Sequence, residues 1–278
     1  MRSHHLRAAA GNVSSSGDTF SSTGVTNNLA VHWDFGNTSC WNQSGTAITD
    51  LTGNSNNGTL PGSNVSYGSG QGGHLSKTSN ASVTLSTDVF PINGANPFAL
   101  EYWVNNTALA SNVHALFQDW YYHYPLYSGV PSYQYNAGLG YNLNTTYGLQ
   151  GQGMSGSGLT GGSPGPLSGR PDTTITAFQN NYYSGTSTGW EQLVFSREST
   201  STNGFKVYRN GSNIYTGTNS INYDARTTPS NYVNIIRQRN LFTLTGGAAI
   251  FRMYTGAGLT STQVTQNYDS QKVRFGLS

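Results

Sequence analysis

Residues 205–215 have the sequence FKVYRNGSNIY, in which Asn210 and Gly211 separate two short runs that contain aromatic and β-branched residues. Such residues favour β-strands. Both central residues of a type I′ turn need positive φ angles, which Asn and Gly adopt at little cost. The segment therefore predicts an antiparallel hairpin closed by a two-residue turn.

Short strand patterns recur on both sides of this hairpin. In residues 81–86, apolar and polar side chains alternate with the period of a strand that has one wet face. Residues 98–104 are apolar on both faces except for Glu101, which predicts a central strand. Turn-forming residues bound further predicted strands at residues 113–117, 190–196, 232–237 and 248–254. Many short strands at this spacing predict an all-β sandwich.

Composition agrees with one all-β domain and narrows the range of partners. A chain of 278 residues can bury a substantial single core. Only 9% of the residues are charged, and 35 are glycine, a composition that suits strands and turns. The net charge of +2 gives no reason to expect nucleic acid or an anionic membrane as partner. Cys40 is the only cysteine, which excludes an internal disulfide and favours a buried small side chain.

The first 28 residues differ from the rest of the chain. Residues 1–10 are basic, but their apolar run is too short for a signal-peptide core. No stretch approaches the roughly 20 apolar residues that a membrane span needs. Because residues 11–28 contain little to bury, residues 1–28 are predicted to form a flexible arm before a domain at residues 29–278. Composition leaves open whether the arm is an idle tail or orders on a neighbouring subunit.

One short helix is predicted near the C-terminus. Thr260 can cap it with its hydroxyl group, and Gln263 lies at the position that returns the bond to the Thr260 amide. Val264 and Tyr268, four residues apart, then share one face.

Several segments of the chain carry a resemblance to a known family. They are residues 33–37, 48–60, 205–211, 246–254 and 259–268. Together they resemble the concanavalin A-like lectin/glucanase superfamily, in particular the laminin G-like domains of tailed phages and large DNA viruses. The resemblance implies an antiparallel jelly-roll β-sandwich with one short C-terminal helix. It also implies recognition without catalysis, on a virion surface or in the extracellular space.

Residues 118–179 match nothing in that family and are predicted to be a long insertion. The segment is rich in tyrosine and then in glycine, and insertions of this length are often functional or disordered. Aromatic rings stack on sugar faces, and their polar tips can bond sugar hydroxyls. The candidate glycan- or partner-binding residues are Trp120, Tyr121, Tyr122, Tyr124, Tyr127, Tyr133 and Tyr135. Packing of the loop onto the sandwich and contact with a protein explain the same aromatic residues.

The acidic residues argue against an enzyme. Glycosidases of the resembled superfamily carry two glutamates and an aspartate in one short run, which is missing around Glu101, Glu191 and Glu198. Glu101 with Asp119 is the least unfavourable catalytic pair, but the favoured interpretation is a Glu101 that pairs with an arginine or is hydrogen-bonded at a sheet edge. The histidines lack metal-ligand spacing, and no nucleophile-elbow motif is present.

Calcium is the one ion that the sequence brings into consideration. Carboxylate and amide oxygens are calcium ligands, and the candidates are Asp34, Asn37, Asp50 and Asn54. Asx-turns explain the same residues equally well. No other cofactor is expected.

Two functions follow from the sequence. The first is a non-catalytic lectin-like module that contacts glycans on a virion or extracellular surface. The alternative is a structural virion protein, a capsid decoration or fibre component, whose arm and aromatic loops contact neighbouring subunits, including further copies of the chain.

Overall fold

A computed structural model describes the backbone of residues 23–77, 83–85, 96–108, 113–123, 132–142, 149–153, 189–201, 203–217, 233–237 and 245–278. Side chains are described for residues 23–76, 83–85, 96–105, 189–201, 203–217 and 247–278. The strands in these ranges pair in two antiparallel sheets.

The first sheet contains eight strands. They are β1 (Leu29–Asp34), β4 (Val65–Gly68), β5 (His74–Lys77), β7 (Phe98–Ala108), β11 (Trp190–Arg197), β12 (Phe205–Arg209), β13 (Ser212–Thr216) and β15 (Thr245–Thr255). Their order is β13-β12-β11-β7-β15-β5-β4, and β1 pairs with β15 beside β5.

The second sheet contains seven strands. They are β2 (Ala47–Ile48), β3 (Gly58–Thr59), β6 (Val83–Leu85), β8 (Val113–His123), β9 (Ser132–Asn142), β10 (Leu149–Gly153) and β14 (Val233–Arg237). Their order is β10-β9-β8-β14-β6-β3-β2.

One apolar core joins the two sheets into a sandwich. Phe98, Leu100 and Tyr102 of the first sheet belong to the same buried cluster as Val83 and Leu85 of the second. Each such side chain contributes about 1.5–3 kcal/mol when it leaves water. The predicted antiparallel β-sandwich is therefore confirmed. Cys40 is buried in the same cluster, as predicted.

The predicted hairpin and central strand are both confirmed. Arg209 pairs with Ser212 across a two-residue turn, in which Asn210 has a φ of 48° and Gly211 a φ of 76°. Strand β7 lies between β11 and β15, and Glu101 is fully buried on the face that points away from the core.

The C-terminal helix α1 (Ser261–Gln271) covers that outer face of the first sheet. Thr260 and Gln263 form the predicted capping box, because the Thr260 hydroxyl accepts from the Gln263 amide and the Thr260 amide donates to the Gln263 side chain. Val264 is fully buried against Tyr254 and Leu259. The confirmed helix is followed by a 3-10 turn, Lys272–Phe275. The described part of the chain contains no helix of the length and hydrophobicity that a membrane crossing requires.

Residues 23–28, which composition assigned to the flexible arm, contact the domain. The Val25 amide donates to Asn267 Oδ1 at 2.8 Å, and the Gln266 side chain donates to the Thr23 carbonyl at 2.8 Å. Composition could not predict this contact, because it depends on the backbone of the segment and not on its side chains. Polar side chains of α1 bind that backbone. Residues 1–22 lie outside the described residues.

Part of the predicted insertion at residues 118–179 belongs to the second sheet. The end of β8 and all of β9 and β10 lie within it. Glycines interrupt these strands and weaken their sequence signal. Residues 124–131, 143–148 and 154–179 lie outside the described residues.

Candidate functional site

Four of the seven aromatic candidates occupy neighbouring positions on β8 and β9. Trp120 pairs with Tyr135, and Tyr122 pairs with Tyr133. Positions two residues apart on a strand share a face, and directly paired residues share it as well. We call these four positions, Trp120, Tyr122, Tyr133 and Tyr135, the aromatic block. Register thus brings together residues that the sequence spreads over 16 positions (120 to 135).

The other three candidates separate from the aromatic block. Tyr121 pairs with Gln134, so its position is on the opposite face of the same strand. Tyr124 and Tyr127 lie outside the described residues.

The aromatic block lies at one end of the second sheet. The described pairing of β14 with β8 ends at Asp119, and that of β10 with β9 ends at Ala137. A register shift in the β8–β9 pair falls between Asp119 and Trp120. Such bulges twist a strand locally and are frequent beside binding and active sites. Within the described pairings, the block is formed by β8 and β9 alone.

Sequence analysis did not predict a polar cluster on the first sheet. This cluster surrounds the buried carboxylate of Glu101. Its Oε1 accepts from Trp103 Nε1 at 3.1 Å, Gln192 Nε2 at 2.8 Å and Arg252 Nη1 at 2.9 Å. Its Oε2 accepts from Asn267 Nδ2 at 2.8 Å. Of the two favoured interpretations, pairing with an arginine is confirmed, and a sheet edge is not involved because β7 is a central strand. Four donors surround this fully buried carboxylate.

Tyr254 extends the cluster toward the N-terminal segment. Asn267 Nδ2 donates to the Tyr254 hydroxyl at 2.9 Å, and that hydroxyl donates to the Val25 carbonyl at 3.0 Å. Burial, together with the negative charge of Glu101, raises the pKa of Tyr254. The tyrosine therefore stays protonated and keeps its role as a donor.

The remaining glutamates also pair with cations. Glu191, which is buried, lies 2.6 Å from Arg209, and Glu198 lies 2.6 Å from Lys206. The hydrogen bond to Glu198 raises the pKa of Lys206. Asp119 lies in the second sheet, whereas Glu101 is bonded on the outer face of the first sheet. The structure does not bring the predicted pair of Glu101 and Asp119 together.

Of the calcium candidates, Asp34 is bound by Arg274. The two guanidinium nitrogens lie 2.6 Å and 2.9 Å from the two carboxylate oxygens. Arg274 also donates to the carbonyls of Gln71 and Gly73, and the Gly36 amide donates to Asp34. This ion pair ties the C-terminal 3-10 turn to the end of β1.

Asp50 is occupied by donors of its own loop and of β1. Its Oδ1 accepts the backbone amides of His32 and Thr52, and its Oδ2 accepts the Thr52 hydroxyl at 2.6 Å and the Asn56 amide at 3.2 Å. The side-chain amide of Asn54 donates to the Leu29 carbonyl at 3.2 Å.

Asn37 forms an Asx-turn, since its side-chain oxygen accepts the Ser39 amide at 2.9 Å. Among the described residues, no three His, Cys, Asp or Glu side chains form a cluster that could hold a metal ion. The Asx-turn contacts of Asp34, Asn37 and Asp50 fit the interpretation that the sequence offers beside calcium, and melting with calcium tests between the two.

An open groove of about 880 Å³ lies between Thr23 and α1. Its lining consists of Thr23, Ser261, Thr262, Thr265, Gln266, Asp269 and Ser270. This groove offers no aromatic face on which a sugar could stack, unlike the positions of the aromatic block.

Comparisons with known proteins give similarity of fold. The sequence matches no protein-family model and no curated protein. The structure is similar to domain 4 of AbnA, an extracellular arabinanase of Geobacillus stearothermophilus solved with arabinotriose. The TM-score is 0.55 and the identity 18%, over 86% of this chain and 98% of that domain.

Two further solved structures are similar over part of their length. A Trypanosoma rangeli sialidase in complex with sialic acid gives a TM-score of 0.55 and 13% identity, over 90% of this chain and 34% of the sialidase. The binding domain of botulinum neurotoxin serotype D gives 0.50 and 11%, over 92% of this chain and 53% of that domain. The chain thus spans about a third of the sialidase and about half of the toxin domain. At these identities the similarities show one thing about the chain, namely that it shares the β-sandwich fold of these domains.

Proposed function

We propose that this chain is a non-catalytic carbohydrate-recognition module whose binding surface is the aromatic block. The observation that carries the proposal is the register of β8 and β9, which pairs Trp120 with Tyr135 and Tyr122 with Tyr133. Four aromatic residues at adjoining positions on one face suit the broad, partly apolar face of a sugar ring. Tyrosine and tryptophan add polar tips that bond to sugar hydroxyls.

The fold neighbours support a recognition role. The arabinanase domain, almost all of which is matched, was solved with arabinotriose, and the botulinum neurotoxin domain is named a binding domain. We therefore choose arabino-oligosaccharides as the first glycans to test. The sialidase is an enzyme, but the chain matches only about a third of it.

The absence of catalysis is part of the proposal and is supported by the contacts of the glutamates. Glu101, Glu191 and Glu198 bind Arg252, Arg209 and Lys206, respectively. A glycosidase needs one carboxyl group that donates a proton and a second one about 5–9 Å away. These ion pairs already occupy the three carboxylates, and Glu101 and Glu191 are buried as well.

We further propose display on a virion or extracellular surface, within the laminin G-like branch. Its support is the sequence motif at residues 259–268, which forms the capped helix α1. The alternative role as a virion subunit would use the same aromatic positions against a protein neighbour.

A glycan array and a hydrolysis assay test the proposal together. The full chain should bind at least one class of oligosaccharide, with arabino-oligosaccharides included on the array. It should release no reducing sugar from the polysaccharides that it binds. The absence of binding to every glycan would refute the recognition role. Release of reducing sugar that disappears in Glu101→Gln would refute the non-catalytic assignment.

A further inference from the structure

The second sheet carries very little positive charge. Its described strands contain one lysine or arginine, Arg237 at the end of β14. Arg237 pairs with Ala115, which precedes Trp120 by five positions, roughly 15 Å along β8.

The other lysine and arginine side chains that the structure describes lie on the first sheet or in the C-terminal 3-10 turn, and they are already bound within the chain. Each of them contacts a carboxylate or a backbone carbonyl: Arg197 with Asn96, Lys206 with Glu198, Arg209 with Glu191, Arg252 with Glu101, Lys272 with Asp269 and Arg274 with Asp34. An anionic ligand would compete there with these contacts for a cationic partner.

From this charge distribution we infer the class of ligand, an inference that rests on the proposed function. We propose that the aromatic block binds uncharged glycans and does not select sialylated, uronic acid-containing or sulfated ones. Proteins recognise carboxylate and sulfate groups through arginine, lysine or clustered N–H donors. An anion that loses its water without such a partner pays a large desolvation cost.

The dimensions of the block agree with a neutral sugar chain. Two positions on one strand lie about 7 Å apart, and the paired strands lie about 5 Å apart. This area suits one or two sugar rings stacked face-on. Stacking of this kind uses the C–H surface and the hydroxyl groups of the sugar. It needs no charged group on the sugar.

The test compares matched glycans that differ in one charged group. The full chain is titrated at about pH 7.5 with neutral oligosaccharides and with their sialylated or sulfated counterparts. At this pH an ordinary histidine side chain is mostly neutral and adds little positive charge. We expect the neutral members to bind and the added charge to give no gain in affinity. Raising the salt concentration should leave the affinity within about twofold, since no ion pair is screened.

Other results separate the two proposals. Binding confined to the charged glycans, or affinity that falls at least about tenfold with salt, would overturn the uncharged class and leave glycan recognition standing. The absence of binding to all glycans would overturn the proposed function, and this inference with it.

Variants place the binding at the block. Trp120→Ala and Tyr133→Ala should each weaken binding of neutral glycans at least about tenfold, whereas Tyr121→Ala, on the opposite face, should not. Thermal melting checks that each variant is folded. If Trp120→Ala does not fold, Tyr133→Ala and the salt titration carry the test. Equal losses in Tyr121→Ala and Tyr133→Ala would overturn the placement.

Discussion

The side-chain amide of Asn267 donates to Glu101 at 2.8 Å, while its carbonyl oxygen accepts the Val25 amide at 2.8 Å. One residue of α1 thus connects the centre of the first sheet to the N-terminal segment of the described chain. Asn267 and Glu101 are both fully buried. Water cannot replace the contacts if the amide is lost.

Replacing Asn267 should therefore destabilise the domain strongly. We expect Asn267→Leu to lower the free energy of unfolding by about 2–4 kcal/mol, because a buried carboxylate oxygen and a buried amide lose their partners. Thr262→Ala, at an exposed position of the same helix, is the matched control and should stay within about 0.5 kcal/mol of wild type. Denaturant titration measures both. Equal stabilities of the two variants would show that the cluster does not hold the helix.

His32 should make stability depend on pH. Burial, with the charges of Arg252 and Arg274, lowers the pKa of His32 well below 6.5. As the pH falls below about 6.5, the unfolded chain binds a proton at His32 that the folded chain does not bind. The contribution of the neutral imidazole to stability is thus complete above about pH 6.5. Below that pH, the free energy of unfolding falls by up to about 1.4 kcal/mol per pH unit. Denaturant titrations at several pH values measure this dependence. The free energy of unfolding should change less steeply with pH in His32→Gln than in wild type. Identical slopes would contradict the prediction.

Calcium should leave the melting curve unchanged. The oxygens of Asp34 and Asp50 already accept N–H and O–H donors. An ion that binds only the folded chain would raise the melting temperature, and chelation would lower it. Melting with added calcium and with chelator decides the question. A rise with calcium that Asp50→Asn removes would establish a site there.

Arg274 should stabilise the domain through the planar contact of its two guanidinium nitrogens with Asp34, and not through its charge alone. We expect Arg274→Lys to cost about 1–3 kcal/mol, because lysine cannot bind both Asp34 oxygens and the two backbone carbonyls at once. Lys272→Ala is the control, since its pair with Asp269 is exposed and contributes at most about 1 kcal/mol. Thermal melting of both variants tests this difference. Wild-type stability of Arg274→Lys would mean that charge alone suffices.

The elements predicted correctly from the sequence have local signals. The Asn210–Gly211 turn, the apolar run of β7 and the capping box of α1 each depend on residues within about one turn or one strand. Strand β9 also has such a signal, because Tyr133, Tyr135 and Leu139 fall at odd positions that alternate with polar or glycine residues. The glycines of that segment made it resemble a loop.

The Glu101 cluster and the aromatic block could not be predicted in the same way. Glu101, Gln192 and Asn267 meet only after three separate elements pack together. Trp120 and Tyr135 meet only in one register of β8 and β9, and a shift by one residue would move one of them to the other face. Sequence analysis named these residues as candidates but could not predict their grouping.

Calorimetric titration tests the central claim most directly, with the oligosaccharide that the array shows to bind best. Wild type and Tyr121→Ala should bind it with the same affinity, and Trp120→Ala should bind at least about tenfold more weakly while melting as a folded protein. Recognition by the aromatic block predicts this difference between two neighbouring aromatic residues on opposite faces. Equal binding by Trp120→Ala and wild type, or no binding of any glycan by wild type, would contradict the account.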